Sequence, residues 1–186
     1  DRVLTMDLHA PQIQGFFDIP LDHLQGGPIL LPYYLEKFKD VRDEVTIVAP
    51  DLGSVASVRK FAERFDAPLA VIDKRRPKAN ESEVMNIIGD VKDRIVVMTD
   101  DIIDTAGTLC QAAEALIVKG GAKAVYAGVT HAVLSDPAVE RIPKSHINEV
   151  VLLDTIPLQE KAKIDKIVQL SVAPLFGEAI RRIFEE

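Results

Sequence analysis

The sequence predicts an α/β fold with a mainly parallel, doubly wound sheet, on three observations. Short apolar runs alternate with stretches of helical periodicity along the chain. The runs read as strands buried on both faces, as helices on either side of a parallel sheet would make them. Acids stand directly after such runs at positions 51, 100 and 101, where sheets of this type present their strand ends to ligands.

Each element has its own signal. Residues 3–6, 45–49, 69–72, 95–99, 124–129, 150–153 and 167–170 are the apolar runs and read as strands. Residues 28–38 read as a helix, with Pro32 expected to disturb its first turn. Val55, Val58, Ala62 and Phe65 are spaced 3, 4 and 3 and form one helical face. Leu109, Ala112, Ala113, Leu116 and Ile117 form another, which Gly120-Gly121 should stop. Leu175, Phe176, Ala179, Ile180 and Ile183 mark the last helix. Gln25-Gly26-Gly27-Pro28 reads as a linker that divides residues 1–27 from a unit spanning 28–186. Neither a solenoid-type repeat nor a low-complexity tract is present. Asp1 is not an initiator Met and the first strand is already under way, so a piece of a longer protein is expected.

Composition narrows the function classes. The chain has 186 residues, 47% hydrophobic, enough for one full core. Lys and Arg number 22 against 29 Asp and Glu, a net charge of −7. That balance argues against a nucleic-acid partner, which needs a clustered basic surface. No apolar run approaches the roughly eighteen residues of a membrane span, and no signal-peptide pattern opens the chain. The single Cys110 falls on the apolar side of a predicted helix and reads as a small buried hydrophobe. A reducing cytoplasm fits these features.

Residues 95–108 carry most of the chemistry. The apolar run ends in Asp100-Asp101, and Asp104 then opens the turn Asp104-Thr105-Ala106-Gly107-Thr108 ahead of a helical pattern. Backbone amides in such a turn, together with the helix dipole, favour an anion such as a sugar phosphate. Thr105 and Thr108 add hydroxyl donors, and Gly107 allows close backbone approach. Asp100 and Asp101 lie one strand end away, where carboxylates can accept hydrogen bonds from ribose hydroxyls. Any three residues of this string would also serve as an ordinary helix N-cap.

Three further constellations are present. Asp7 and His9 follow the first strand, with Asp18 and Asp22 beyond them. One His with several carboxylates can hold a divalent ion, and oxygen-rich ligation favours Mg²⁺, although scattered acids more often serve surface or capping roles. Asp51, in Pro50-Asp51-Leu52-Gly53, either caps the next helix or binds metal. Asp73-Lys74-Arg75-Arg76-Pro77-Lys78 is a basic island in an acidic protein, read as an extended loop after a strand. Such runs are usually solvated, yet a cationic loop closing over phosphate, poorly ordered until ligand arrives, is common in phosphoryl transfer. No G-x-x-x-x-G-K-[ST], G-x-G-x-x-G, G-x-S-x-G or C-x-x-C motif occurs.

The 95–108 string resembles the phosphoribosyl-pyrophosphate (PRPP) motif of the phosphoribosyltransferase superfamily. Together with Asp7-Leu-His-Ala-Pro-Gln-Ile-Gln-Gly-Phe-Phe-Asp18 and Asp73-Lys-Arg-Arg-Pro77, it resembles the ribose-phosphate pyrophosphokinases of the bacterial-type class, over the whole chain but only the C-terminal part of a usual member. The resemblance implies transfer of the diphosphoryl group of ATP to the anomeric hydroxyl of ribose 5-phosphate, giving PRPP and AMP, with Mg²⁺ and with phosphate as an activator. His9 and Asp51 would be Mg²⁺ ligands with Asp7 close by, and Asp18 and Asp22 lower-ranked metal positions. Lys74 and Arg76 would stabilise the transferring phosphoryl group. Asp100 and Asp101 would hold ribose hydroxyls, and residues 104–108, Asp104, Thr105, Ala106, Gly107 and Thr108, the 5-phosphate.

By the same resemblance, residues 1–27 would end an N-terminal phosphoribosyltransferase-like domain and residues 28–186 form a C-terminal one, whose last helix packs on the first. The assembly would be a hexamer built from dimers. ATP-site residues would lie outside this chain, which alone would be inactive. Two strings depart from the pattern. Gly53-Ser54-Val55-Ala56-Ser57 stands where a Gly-Gly pair and then an Arg are usual, and Ser135-Asp136-Pro137 where Ser-Gly-Pro is usual. A non-catalytic regulatory subunit and a PRPP-consuming phosphoribosyltransferase are the competing readings. The latter leaves the Asp7–Asp18 and Lys74–Pro77 strings without a role.

Overall fold

The computed structural model describes residues 2–75 and 84–185. Strand β1 (Val3–Met6) pairs in parallel with β2 (Leu21–Leu24), forming a separate two-stranded sheet. Helix α1 (Gly27–Lys37) follows, then β3 (Val45–Ala49), α2 (Val55–Phe65), β4 (Leu69–Arg75), β5 (Val84–Ile88) and β6 (Ile95–Ile103). The chain continues through α3 (Gly107–Glu114), β7 (Ala124–Ala132), α4 (Asp136–Lys144), β8 (Ile147–Leu153), β9 (Ile167–Leu170) and α5 (Ala173–Glu185). The main sheet has seven strands in the order β5-β4-β3-β6-β7-β8-β9. All its pairings are parallel except β4 with β5.

Alternation along the strands builds two apolar layers. Val97 of β6 faces Leu30, Tyr34, Phe61 and Phe65 of α1 and α2, whereas Val96 and Met98 face the α3–α4 side with Leu109, Leu116 and Ile142. The doubly wound sheet expected from the sequence is therefore the one that forms.

Strand order runs outward in both directions from the β3–β6 pair. That pair is the topological switch point, where neighbouring connections depart to opposite sides and leave a crevice at the carboxyl ends. Asp51 follows β3, and Asp100 and Asp101 lie on β6, so the acids collect at this crevice.

Several elements differ in detail from the sequence expectation. The Gln25–Pro28 segment contains no slack: Gly26 is buried, donates from its N–H to Asp7 Oδ2 at 2.8 Å, and accepts from Ile29 and Leu30 as α1 begins. Pro32 lies inside α1, which runs through it unbroken. Asp73, Lys74 and Arg75 are not loop: β4 continues through them because β5 pairs with it, Lys74 opposite Met85. Helix α3 ends in a π-helical turn at Ala115–Lys119 and stops at Gly121, whose φ of 70° only glycine adopts freely. Cys110 packs half-buried against the α3–α4 core, and burial pushes its thiol up from its ordinary value.

Candidate functional site

Below the ends of β3 and β6 lies a cleft of about 500 Å³. Asp7, His9, Asp51, Asp100 and Asp101 line it, with Ser57 on the rim from α2. Asp51 folds back on its own turn: Ser54 N donates to Asp51 Oδ1 at 2.9 Å and Ser54 Oγ to Asp51 O at 3.0 Å. Asp51 thus closes the turn ahead of α2 rather than capping the helix, which has no side-chain cap, and it also lines the cleft. Asp100 accepts from the N–H of Asp101 at 3.0 Å. Burial raises the Asp100 carboxyl from 3.8 to about 6, and the neighbouring Asp101 and Asp51 charges add to the rise. His9 Nδ1 meets Asp101 Oδ2 at 2.8 Å, and that hydrogen bond lifts the His9 pKa.

Asp7 is held from two sides. Its Oδ2 accepts from Thr130 Oγ1 at 2.6 Å and from Gly26 N at 2.8 Å. Its φ of 37° lies in the left-handed region, so the chain turns sharply as it leaves β1.

The turn 104–108 connects the end of β6 to the N-terminus of α3 and, unlike Asp100 and Asp101, does not line the cleft. Ala106 occupies the left-handed region (φ 57°, ψ 8°), and no side chain caps the helix. Cys110 N donates to Ala106 O at 3.0 Å, so the amides of Gly107 to Leu109 precede the first intrahelical bond. An anion can take those donors. Helix α4, which the apolar periodicity does not reveal, braces the turn: Ser135 Oγ donates to Asp104 Oδ1, and Arg141 NH1 donates to Thr105 O at 3.0 Å. A Cβ on Gly107 would sit 3.3 Å from Arg141 NH1, so glycine leaves room for that brace.

Not every expected residue joins the site. Asp18 is exposed, and Asp22 pairs with Arg2 at 3.4 Å; neither lines the cleft. Lys74 stands in the β4–β5 ladder, also outside the lining. Of the expected lid at 74–80, residues 74 and 75 belong to β4, and 76–80, Arg76 among them, lie outside the described residues. Among the described residues, no three His, Cys, Asp or Glu side chains converge on one metal position. The cleft still fits Mg²⁺, which keeps several waters and commonly takes one or two protein carboxylates plus substrate phosphates. Asp51, Asp7 and His9 line the cleft without converging, so one or two of them would hold such an ion and water or phosphate oxygens the rest of its shell.

A sequence profile described as the phosphoribosyl synthetase-associated domain matches residues 74–186. The chain belongs to this phosphoribosyl synthetase family. Among its relatives is a ribose-phosphate pyrophosphokinase of Caldanaerobacter subterraneus subsp. tengcongensis, 64% identical over 184 residues, 99% of this chain and 57% of that protein. One from Clostridium acetobutylicum is 61% identical over 186 residues, 100% of this chain and 58% of that protein. The chain thus spans somewhat over half the length of these relatives. The crystal structure of phosphoribosylpyrophosphate synthetase from Mycobacterium smegmatis superposes with a TM-score of 0.89 at 40% identity, covering 100% of this chain and 59% of that one. The chain therefore carries its acid-lined crevice on the fold of a solved family member.

Proposed function

We propose that the protein containing this chain transfers the diphosphoryl group of ATP to the anomeric hydroxyl of ribose 5-phosphate, releasing AMP and PRPP. The observation that carries the reading is the switch-point cleft lined by the paired carboxylates of β6, the strand that leads within three residues into the uncapped, glycine-containing N-terminus of α3. The relatives' name agrees with it. In the reaction the anomeric oxygen attacks the β-phosphorus while the bond from that phosphorus to the oxygen bridging toward the α-phosphate breaks, and AMP leaves.

Asp100 and Asp101 accept hydrogen bonds from the ribose hydroxyls, and the turn Asp104–Thr108 takes the 5-phosphate. Lys74 and Arg76 stabilise charge on the transferring group. Asp51 and His9, with Asp7 nearby and Asp18 and Asp22 as outlying candidates, would hold Mg²⁺, which would supply charge neutralisation to the phosphates. The protein's own contribution is positioning and fixed electrostatics rather than covalent chemistry. Residues 1–27 complete an N-terminal domain, and the protein works in the cytoplasm as a homo-oligomer, a hexamer built from dimers, activated by phosphate.

The full-length protein given ATP, ribose 5-phosphate, Mg²⁺ and phosphate should release AMP. Lys74→Ala should cut kcat about 10²–10³-fold, the usual cost of one lost donor to developing charge. No AMP, with binding to an active homologue, would instead favour a regulatory subunit. Turnover only with PRPP and a nucleobase would favour a phosphoribosyltransferase.

A further inference from the structure

His131 lies near the end of β7, next to the buried Thr130. Its ring is engaged at both nitrogens. Nε2 lies 3.1 Å from Met6 O and 3.0 Å from Asp7 O. Both partners are carbonyl acceptors, so Nε2 carries the hydrogen and donates. Nδ1 lies 2.9 Å from Thr155 Oγ1, which is also 2.8 Å from Thr130 O, so the one hydroxyl hydrogen of Thr155 serves either Nδ1 or that carbonyl. One imidazole thus connects the end of β1 to the segment that follows β8.

The connection matters because β1 shares no ladder with the seven-stranded sheet. Its carboxyl end is registered on β7 through side chains instead: His131 on two carbonyls, and Thr130 on the Asp7 carboxylate. From this anchor the chain turns at Asp7 and delivers His9 to Asp101. The His9 side chain is 77% exposed, so packing does not place it. The direction of its backbone does.

We propose that His131 is a positioning residue: by holding the carbonyls of Met6 and Asp7 it aims residues 7–9 and sets His9 opposite Asp101. This role rests on the reading of the cleft as a diphosphoryl-transfer site. It concerns a residue that does not line the cleft and acts through one that does.

The test is a double-mutant cycle in the full-length protein. His131→Ala should lower kcat about ten- to a hundredfold, as a misplacement of about 1 Å does, with a smaller change in KM for ATP. In a His9→Ala background the same change should add little, because the side chain it aims is already gone. His131→Gln, which keeps an amide donor facing the carbonyls, should recover part of the loss. Thr155→Val, which leaves the ring but removes the hydroxyl at Nδ1, should show a milder loss that His9→Ala also absorbs, and it carries the test if His131→Ala does not fold. Losses that multiply in the double variants would mean that His131 only supports the fold, and the proposal would fall. So would a crystal structure of His131→Ala that retains the His9–Asp101 contact. A wild-type protein that releases no AMP would overturn the reading of the cleft itself.

Discussion

Asp100 is the residue at which function and stability pull in opposite directions. The proposed role of Asp100, accepting hydrogen bonds from ribose hydroxyls, calls for an ionised carboxylate, yet burial raises its pKa from 3.8 to about 6. In the unfolded chain the same group ionises near 3.8, so its effect on stability has a fixed sign. Well below 3.8 both states are protonated and no penalty exists; it builds as pH rises from there toward 6. As pH rises through 6 the folded state has to ionise a buried acid, and the full penalty, about 3 kcal/mol, is present above that. Raised by its Asp101 partner, His9 contributes with the same sign, favouring the fold at low pH, but it is exposed and its share is screened. Asp100→Asn should therefore stabilise the protein at pH 8 by about 2–3 kcal/mol and give little or no gain at pH 4. Urea denaturation at both pH values, with a chelator present so that no metal offsets the charge, measures it. An equal effect at pH 4 and pH 8 would show that the change acts through packing.

At the scale of elements, the joint between β2 and α1 is the tightest test of how the two sheets meet. A Cβ on Gly26 would stand 2.5 Å from Thr130 Oγ1 and 2.7 Å from Leu153 Cδ1. Gly26→Ala therefore has to push Thr130 off the Asp7 carboxylate, and should cost about 1–3 kcal/mol, as overpacking does. A lowered thermal midpoint together with a weaker His9–Asp101 contact would show the joint and the cleft to be coupled. The glycine was legible in the sequence only as a linker residue, because its neighbours, Thr130 and Leu153, come from more than a hundred residues away. The same limit hides the Thr130 and His131 contacts. Apolar runs exposed the long central strands, since burial on both faces writes itself into the chain. It did not expose β2, four half-buried residues that include Asp22 and His23, nor α4, whose only fully buried residues are Ala138 and Ile142 and which carries two prolines. The basic residues of β4 read as loop because their charge outweighs any strand signal until β5 pairs with them. The strand-end acids and the turn at 104–108 were readable because their chemistry is local. The brace from Ser135 and Arg141 was not.

At the scale of the whole molecule, the seven-stranded sheet and the β1–β2 pair differ in how they are covered. The seven-stranded sheet is covered on both faces by buried cores. The β1–β2 pair is not: its residues are half-buried except for Met6, and two strands alone are marginal in water. Nearby Phe16 is 84% exposed, and at the other end of the chain Phe184 of α5 is 92% exposed, so both regions present aromatic surface of the kind that marks an interface. These features are what residues 1–27 would show as the last strands of a preceding domain, with α5 packing against it. Amide hydrogen exchange discriminates. In the 186-residue chain alone, β1 and β2 should exchange far faster than β6, β7 and β8, whose openings approach global unfolding. In the full-length protein, β1, β2 and α5 should slow by about tenfold or more while the central strands change little, because only the former gain partners. Equal protection of β1 and β2 in both forms would mean that the His131 and Thr130 anchors suffice to hold them, and that residues 1–27 belong to this domain rather than to its neighbour.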